Sequence, residues 1–303
     1  MQLDFGPIVL GGNVFGWTVD KDAGFRLLDA FVDRGGRAID TADVYPAWVP
    51  GRSGGESEEL LGAWMKARGN RDQIVLATKV GMWEAQAGLS PANLRAAVEG
   101  SLKRLQTDYI DLYYAHRDDE DVAVSDFVET FDALVKEGKV RVLGASNFAP
   151  DRLNAALDYA KSNDLAGFQV SQDHYNLVER DIEGTVLPVL AERGMTELPY
   201  WSLASGFLTG KYRPGAQVDS ARASSAGAYL EKSFAEPLLA KLDALAAKHD
   251  SSVAAVSLSW LRAQPTVGAP IASARTLEQL PALFDVVALS EEDVAALNAI
   301  TAG

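Results

Sequence analysis

The stretch IVLATKVGMWEAQAGLSPANLRAAVEGSLKRLQTDYIDLYYAH, residues 74–116, holds one strand–helix–strand unit, and its reading decides the fold. IVLATKV (74–80) is an apolar run short enough for a buried strand. Ser90-Pro91 is a helix start, a capping hydroxyl followed by proline at the first helical position. Leu94, Val98, Leu102 and Leu105 then recur at helical spacing, and YIDLYYAH (109–116) is a second apolar run. Two such strands joined through a helix are parallel, because parallel neighbours need a crossover.

The same alternation extends in both directions. Strand-like runs occur at IVLGG (8–12), RAIDTAD (37–43), VRVLGASN (140–147), FQVSQ (168–172), LPYWS (198–202) and TVGAPIAS (266–273), making eight in all. Asp20, Ser57 and Ser125 each precede apolar residues at helical spacing, and Gly138 closes the helix that Ser125 opens. Eight apolar strands in 303 residues fit an α/β fold of the closed (β/α)8 TIM-barrel kind better than an open doubly wound sheet. No linker or low-complexity tract interrupts the chain, so residues 1–303 are expected to form one domain.

Two details complete this expectation. Met195-Thr196-Glu197-Leu198 is more polar than a barrel strand should be: either Glu197 lies inside the barrel or against a helix, or the strand starts late, at Leu198. The interval before the last strand is about twice the others and holds KYRPGAQVDSARASSAGAYLEKS (211–233), a segment without apolar period. A long loop at this face of a barrel is usually a lid or binding loop; a surface insertion is the alternative.

Composition removes several classes. There is no cysteine, hence no thiolate chemistry or disulfide, and no stretch of ~18 apolar residues to cross a bilayer. The balance of 28 Lys+Arg against 42 Asp+Glu gives a net charge of −14, which argues against nucleic acid as a partner. The N-terminal MQLDFGPIVLGGN has no signal-peptide pattern, so a cytoplasmic protein with a small-molecule partner is expected.

Barrel chemistry sits at the carboxyl ends of the strands. Those ends carry Asp40, Lys79, His116, Ser146 with Asn147, Gln172, Trp201 and Ser273. Singly, each has a structural reading: Asp40 a turn or cap, Lys79 a solvated strand end, His116 a satisfied core residue, Tyr45 loop packing. Together they read as a proton donor aimed at a carbonyl oxygen. Asp40 pairs Lys79, the ammonium lowers the pKa of the Tyr45 phenol, and His116 orients the substrate oxygen.

The nucleophile is then expected to be a cofactor hydride. GxSxG is absent, and His116, His174 and His249 are too scattered for a metal site, so no metal is expected. Ser146, Asn147 and Gln172 could clamp a carboxamide, with Trp201 stacking on an aromatic ring. Without GxGxxG, a dinucleotide's pyrophosphate would meet the loop Leu203-Ala204-Ser205-Gly206 and Lys211, and its adenosine end the helix start after Ser273.

At these residues the chain resembles the aldo-keto reductase superfamily over essentially its full length. The matching blocks are GGNVFGW (11–17), DTADVY (40–45), GGESEELLGAW (54–64), ATKVG (77–81), DLYYAHRDD (111–119), GKVRVLGASNF (138–148), QDHYNLVER (172–180), PYWSLASGFLTGKYR (199–213) and PIASARTLEQL (270–280). The resemblance implies a (β/α)8 barrel, NADPH-dependent reduction of aldehydes or ketones, and a tetrad at Asp40, Tyr45, Lys79 and His116. It implies cofactor contacts at Ser146, Asn147, Gln172, Trp201, Ser202, Leu203, Ser205, Gly206, Lys211, Ser273, Arg275 and Gln279. Ala272 stands where many members carry lysine, and Glu278 with Gln279 near a usual arginine, so NADH is the alternative cofactor. Phe15, Trp17, Trp48 and Trp83 are the candidate substrate-pocket walls. A nicotinamide-binding regulatory module and a barrel isomerase or hydrolase are the competing function classes.

Overall fold

The computed structural model describes residues 3–216 and 218–302; Gln217, within the long loop, lies outside them. Eight strands run β1 (Val9–Gly11), β2 (Ala38–Asp40), β3 (Val75–Val80), β4 (Ile110–Ala115), β5 (Val140–Ser146), β6 (Phe168–Gln172), β7 (Thr196–Glu197) and β8 (Ile271–Ala272). Every pairing is parallel, in the order β7-β6-β5-β4-β3-β2-β1-β8. The sheet curls until its two edges meet. The Glu197 amide donates to Thr266 O at 2.8 Å, Gly268 N to Glu197 O at 2.9 Å and Ile271 N to Pro199 O at 2.9 Å. This is the (β/α)8 barrel the alternation predicts.

The helices are α1 (Lys21–Asp33), α2 (Glu56–Arg68), α3 (Pro91–Leu105), α4 (Val124–Lys136), α5 (Pro150–Ser162), α6 (Val186–Arg193), α7 (Ala223–Gly227), α8 (Ala235–Lys248), α9 (Val253–Arg262), α10 (Leu280–Phe284) and α11 (Glu291–Thr301). Asp20 caps α1 by accepting from Ala23 N, and Ser90 caps α3 by accepting from Asn93 N. The other two expected caps fall elsewhere. α2 starts after Gly55, which adopts φ +88°, and Ser57 turns inward to donate to Gly12 O at 2.8 Å. α4 is preceded by Ala123, which leaves Ser125 within its first turn.

Two apolar layers hold the barrel. Inside it, Val9, Ala38, Ala77, Leu112, Tyr114, Val142, Val170, Leu198, Ala269 and Ile271 fill the lumen. Outside it, the inner faces of the helices pack on the strands. Gly62 lets α2 approach α3 closely, since a Cβ there would collide with the backbone of Arg104 and Leu105.

The seventh strand corrects the expectation. It begins early, at Thr196–Glu197, not at Leu198, and Glu197 is fully buried in the barrel. The 211–233 segment is also more ordered than its composition implies, containing α7 and a 3-10 turn at Ala228–Glu231. Tyr229 anchors it, stacking on Phe207 with ring centroids 5.4 Å apart and donating to Glu179 Oε1 at 2.7 Å.

Candidate active site

β2 and β3 end side by side, and their last polar side chains meet. Lys79 is fully buried, and its Nζ donates to Asp40 Oδ2 at 2.6 Å, to Thr41 O at 2.7 Å and to Tyr45 Oη at 3.4 Å. All three ammonium protons therefore have acceptors, which a charge at zero exposure requires. Burial is the strongest single influence and works against the ammonium, but Asp40 and Tyr45 together, by charge and hydrogen bonds, outweigh it and the Lys79 pKa is raised. Gln172 at the end of β6 donates from Nε2 to the other Asp40 oxygen, Oδ1, at 2.9 Å.

Tyr45 departs from expectation. Its pKa is raised, because burial outweighs the pull of Lys79 and the Asp40 charge opposes it. The carboxylate that makes the ammonium's burial tolerable offsets part of its pull on the phenol, and burial decides the direction. His116, at the end of β4, places its ring 6.0 Å from that of Tyr45, and burial with the nearby charge of Lys79 depresses its pKa well below the usual imidazole value. It is therefore a neutral hydrogen-bonding ring at neutral pH, and its buried Nδ1 has no partner among the described residues.

The end of β5 lies beside this group. Asn147 adopts φ +56°, and its amide nitrogen donates to His116 O at 3.1 Å and Ser146 Oγ at 2.9 Å, while its Oδ1 accepts from Tyr200 Oη at 2.8 Å. Ser146 donates to Gln172 O at 2.6 Å. Asn147, Ser146, Gln172 and Asp40 thus form one continuous polar chain to Lys79.

Two aromatics stand at this edge, Trp201 and its neighbour Tyr200, which the sequence reading did not name. Trp201 is 49% exposed and packs edge-on against His174, whereas Tyr200 stacks on His174 and reaches Asn147.

Beneath the mouth lies a buried acid pair. Asp173 accepts from Asn147 N at 3.0 Å and from Ser171 Oγ, and Glu197 Oε1 accepts from Asp173 N at 2.8 Å. Burial raises both carboxyl pKa values, and the charge of Asp173 raises Glu197 further. Both carboxyls are therefore pushed toward the protonated form, Glu197 the more strongly, while Asp173 accepts two hydrogen bonds. The polar residue anomalous for a strand therefore supports the backbone of Asn147.

The remaining candidates spread along the rim. Leu203, Ala204, Ser205 and Gly206 form a tight turn in which Ala204, Ser205 and Gly206 have φ of +46°, +56° and +98°. Ser202 is buried and donates to Pro199 O at 2.8 Å. Lys211 is exposed, its Nζ 4.9 Å from the Tyr212 ring centroid. Ser273 donates to Asn13 Oδ1 at 2.7 Å, and Gln279 Oε1 accepts from Arg275 N at 2.7 Å. Neither Lys211 nor Arg275 pairs with a carboxylate among the described residues. Of the proposed walls, Trp48 is 49% exposed, 5.5 Å from Tyr45 and 5.9 Å from Trp17 between ring centroids. Phe15 is instead fully buried in the outer core, and Trp83 donates to Ser53 O at 2.8 Å while lying under Arg104. No group of three His, Asp or Glu among the described residues could hold a metal ion, and no helix is long and apolar enough to cross a membrane.

The class of this barrel follows from comparison with known proteins. Residues 7–302 match the aldo/keto reductase family, to which the chain belongs, and it is an NAD(P)H-dependent oxidoreductase. It is 34% identical to the uncharacterized oxidoreductase YrpG of Bacillus subtilis, over 98% of this chain and 92% of that one. It is also 34% identical to the aldo-keto reductase YhdN of the same organism, over 99% and 89%. The aryl-alcohol dehydrogenase [NADP(+)] of Phanerodontia chrysosporium is 30% identical over 98% and 82%.

Proposed function

We propose that this chain acts as one barrel that reduces an aldehyde or ketone to the alcohol with NADPH, Tyr45 giving the proton. The observation that carries the reading is the buried run Asp40–Lys79–Tyr45, with contacts of 2.6 and 3.4 Å. When bound, the dinucleotide supplies the hydride. Tyr45 Oη donates to the substrate's carbonyl oxygen as negative charge develops there, and Lys79, fixed by Asp40, stabilises the phenolate left behind. The neutral His116 ring donates a second hydrogen bond to that oxygen.

The residues present fit a dinucleotide. Asn147, held in a left-handed backbone conformation by Asp173, and the Tyr200 ring suit the carboxamide and ring of a nicotinamide. In the left-handed turn Ala204 to Gly206 the Ala204 and Gly206 amides donate to Trp201 O and Leu203 O, and the Ser205 amide is the one that would meet an anion. Lys211 would hold the pyrophosphate, and Ser273, Arg275 and Gln279 the adenosine end with its 2′-phosphate. Lys211 and Arg275, neither paired with a carboxylate among the described residues, would supply the positive charge that phosphates need on a protein of net charge −14.

The names of the relatives, among them aryl-alcohol dehydrogenases, support an aromatic carbonyl compound as substrate. The test follows loss of reduced-nicotinamide absorbance with a panel of aromatic aldehydes and ketones, using NADPH and NADH. Oxidation with NADPH preferred in kcat/KM is expected. No oxidation with any carbonyl compound refutes the activity, and a preference for NADH refutes the assignment of Arg275 to a 2′-phosphate.

A further inference from the structure

Asn147 is the junction of two hydrogen-bond runs, and the mechanism above uses only one of them. Its side-chain amide joins Ser146, Gln172 and Asp40 to Lys79. Its backbone N–H starts a second run, which leads away from the reacting groups. Asn147 N donates to Asp173 Oδ1 at 3.0 Å, and Asp173 N donates to Glu197 Oε1 at 2.8 Å. Strand register builds this run: Ser146 stands beside Gln172 and Ser171 beside Glu197, so the residues just past β5 and β6 meet next to a side chain of β7. The run is costly to keep. Asp173 and Glu197 are both buried, no cation among the described residues pairs with either, and Glu197 Oε2 has no hydrogen-bond partner among them. Burial raises both carboxyl pKa values, so above the ordinary carboxyl range the pair opposes folding, a cost that apolar side chains in the same places would not carry.

What the run provides is the conformation of Asn147. At φ +56° its backbone is left-handed, a region that an L-residue leaves unless something fixes it there. Asp173 supplies the acceptor that fixes it, and Glu197 holds the backbone of Asp173 in turn. With the backbone so set, the Asn147 amide nitrogen faces His116 O and Ser146 Oγ at 3.1 and 2.9 Å. We propose that Asp173 is a positioning residue for the dinucleotide, acting through Asn147: it keeps that residue in the left-handed conformation that presents its amide to the nicotinamide. This rests on the carbonyl-reductase reading, in which Asn147 meets the carboxamide. Without Asp173 the dinucleotide has to order Asn147 as it binds, and that cost is taken from its affinity.

NADPH affinity, read from nicotinamide fluorescence, is compared for the wild-type chain, Asp173→Ala, Asp173→Asn and Gly62→Ala. Asp173→Ala leaves the Asn147 N–H without its acceptor, and the Kd should rise about 10- to 100-fold. Asp173→Asn retains an oxygen for that N–H and should stay within about threefold of wild type. Gly62→Ala strains the packing of α2 on α3 and should bind NADPH like wild type, which separates positioning from a general loss of stability. Hydrogen exchange gives a readout without cofactor: the Asn147 amide should be protected in the wild-type and Asp173→Asn chains and exchange at least about tenfold faster in Asp173→Ala. Binding by Asp173→Ala within about twofold of wild type overturns the proposal, as does Asp173→Asn binding as weakly as Asp173→Ala, or Gly62→Ala weakening binding as much. If Asp173→Ala does not fold, the other chains decide: a protected Asn147 amide with near-wild-type binding by Asp173→Asn supports the proposal, and an unprotected amide in the wild type or weak binding by Asp173→Asn overturns it. A wild-type chain that binds neither NADPH nor NADH overturns the carbonyl-reductase reading and the proposal with it, whereas unchanged binding by Asp173→Ala overturns the proposal alone.

Discussion

Replacing Asp40 by Asn tests the physical core of the site, because it removes one charge and almost no volume. Lys79 Nζ lies 2.6 Å from Asp40 Oδ2, with the lysine side chain at 0% exposure and the aspartate at 4%. At that separation an effective dielectric of about 20 gives an attraction of roughly 6 kcal/mol. Thr41 O and the new amide oxygen still accept from the ammonium, so the net loss should be about 3–5 kcal/mol, the usual cost of leaving a buried charge without its partner. That is a large share of the ~5–15 kcal/mol that holds a folded domain together. In urea unfolding the midpoint should fall by roughly 1 M or more.

The pH dependence sharpens the test. In the wild type Asp40 helps raise the Lys79 pKa, so this pair's contribution is complete at neutral pH and is lost as pH rises through the folded value. In Asp40→Asn the burial penalty is no longer offset by that charge, the folded pKa drops, and the cost shrinks as the pH approaches 10. The stability gap should therefore be widest near pH 7 and narrower at pH 10, and adding Lys79→Met should recover part of the loss. A midpoint within about 1 kcal/mol of wild type, or a gap independent of pH, would refute the claim that this charge pair organises the site.

Other perturbations follow from the same packing. Asp43 is fully buried, and burial with the nearby charge of Glu58 pushes its carboxyl up to about 8, far above the ordinary aspartate range. Its preference for the protonated form is satisfied at low pH and costs stability as pH rises from about 4 to 8, so Asp43→Asn should gain on wild type by on the order of 1 kcal/mol per pH unit across that window in thermal unfolding. Glu197→Gln keeps a neutral group that can accept from Asp173 N and should unfold close to wild type. Glu197→Ala should lose about 2–4 kcal/mol; equal behaviour of the two variants contradicts the role of Glu197 as a neutral acceptor for Asp173 N. Gly62→Ala should lower the melting temperature markedly, since its methyl meets backbone that cannot rotate away; an unchanged melt would mean α2 and α3 separate at little cost.

How much of this was legible in the sequence depends on the kind of signal. Apolar period and caps such as Asp20 and Ser90-Pro91 are local, and they were enough for the barrel. Ser57 and Ser125 misled because a serine near a helix start can also turn inward, as Ser57 does toward Gly12. The approach of Asp40 to Lys79 followed from strand ends that must be neighbours. The raised pKa of Tyr45 did not, because it depends first on how completely burial removes the phenol from water. The placement of Arg222 over Trp17 was hidden because it depends on how an aperiodic loop folds back, which is not written in local spacing.

The central claim is that Tyr45 supplies the proton, and Tyr45→Phe tests it with the ring kept in place. Single-turnover oxidation of bound NADPH by an aromatic aldehyde, followed by stopped flow, is predicted to slow by about 100-fold or more while NADPH affinity stays within about twofold of wild type. An unchanged single-turnover rate would contradict the account and remove Tyr45 from the chemistry.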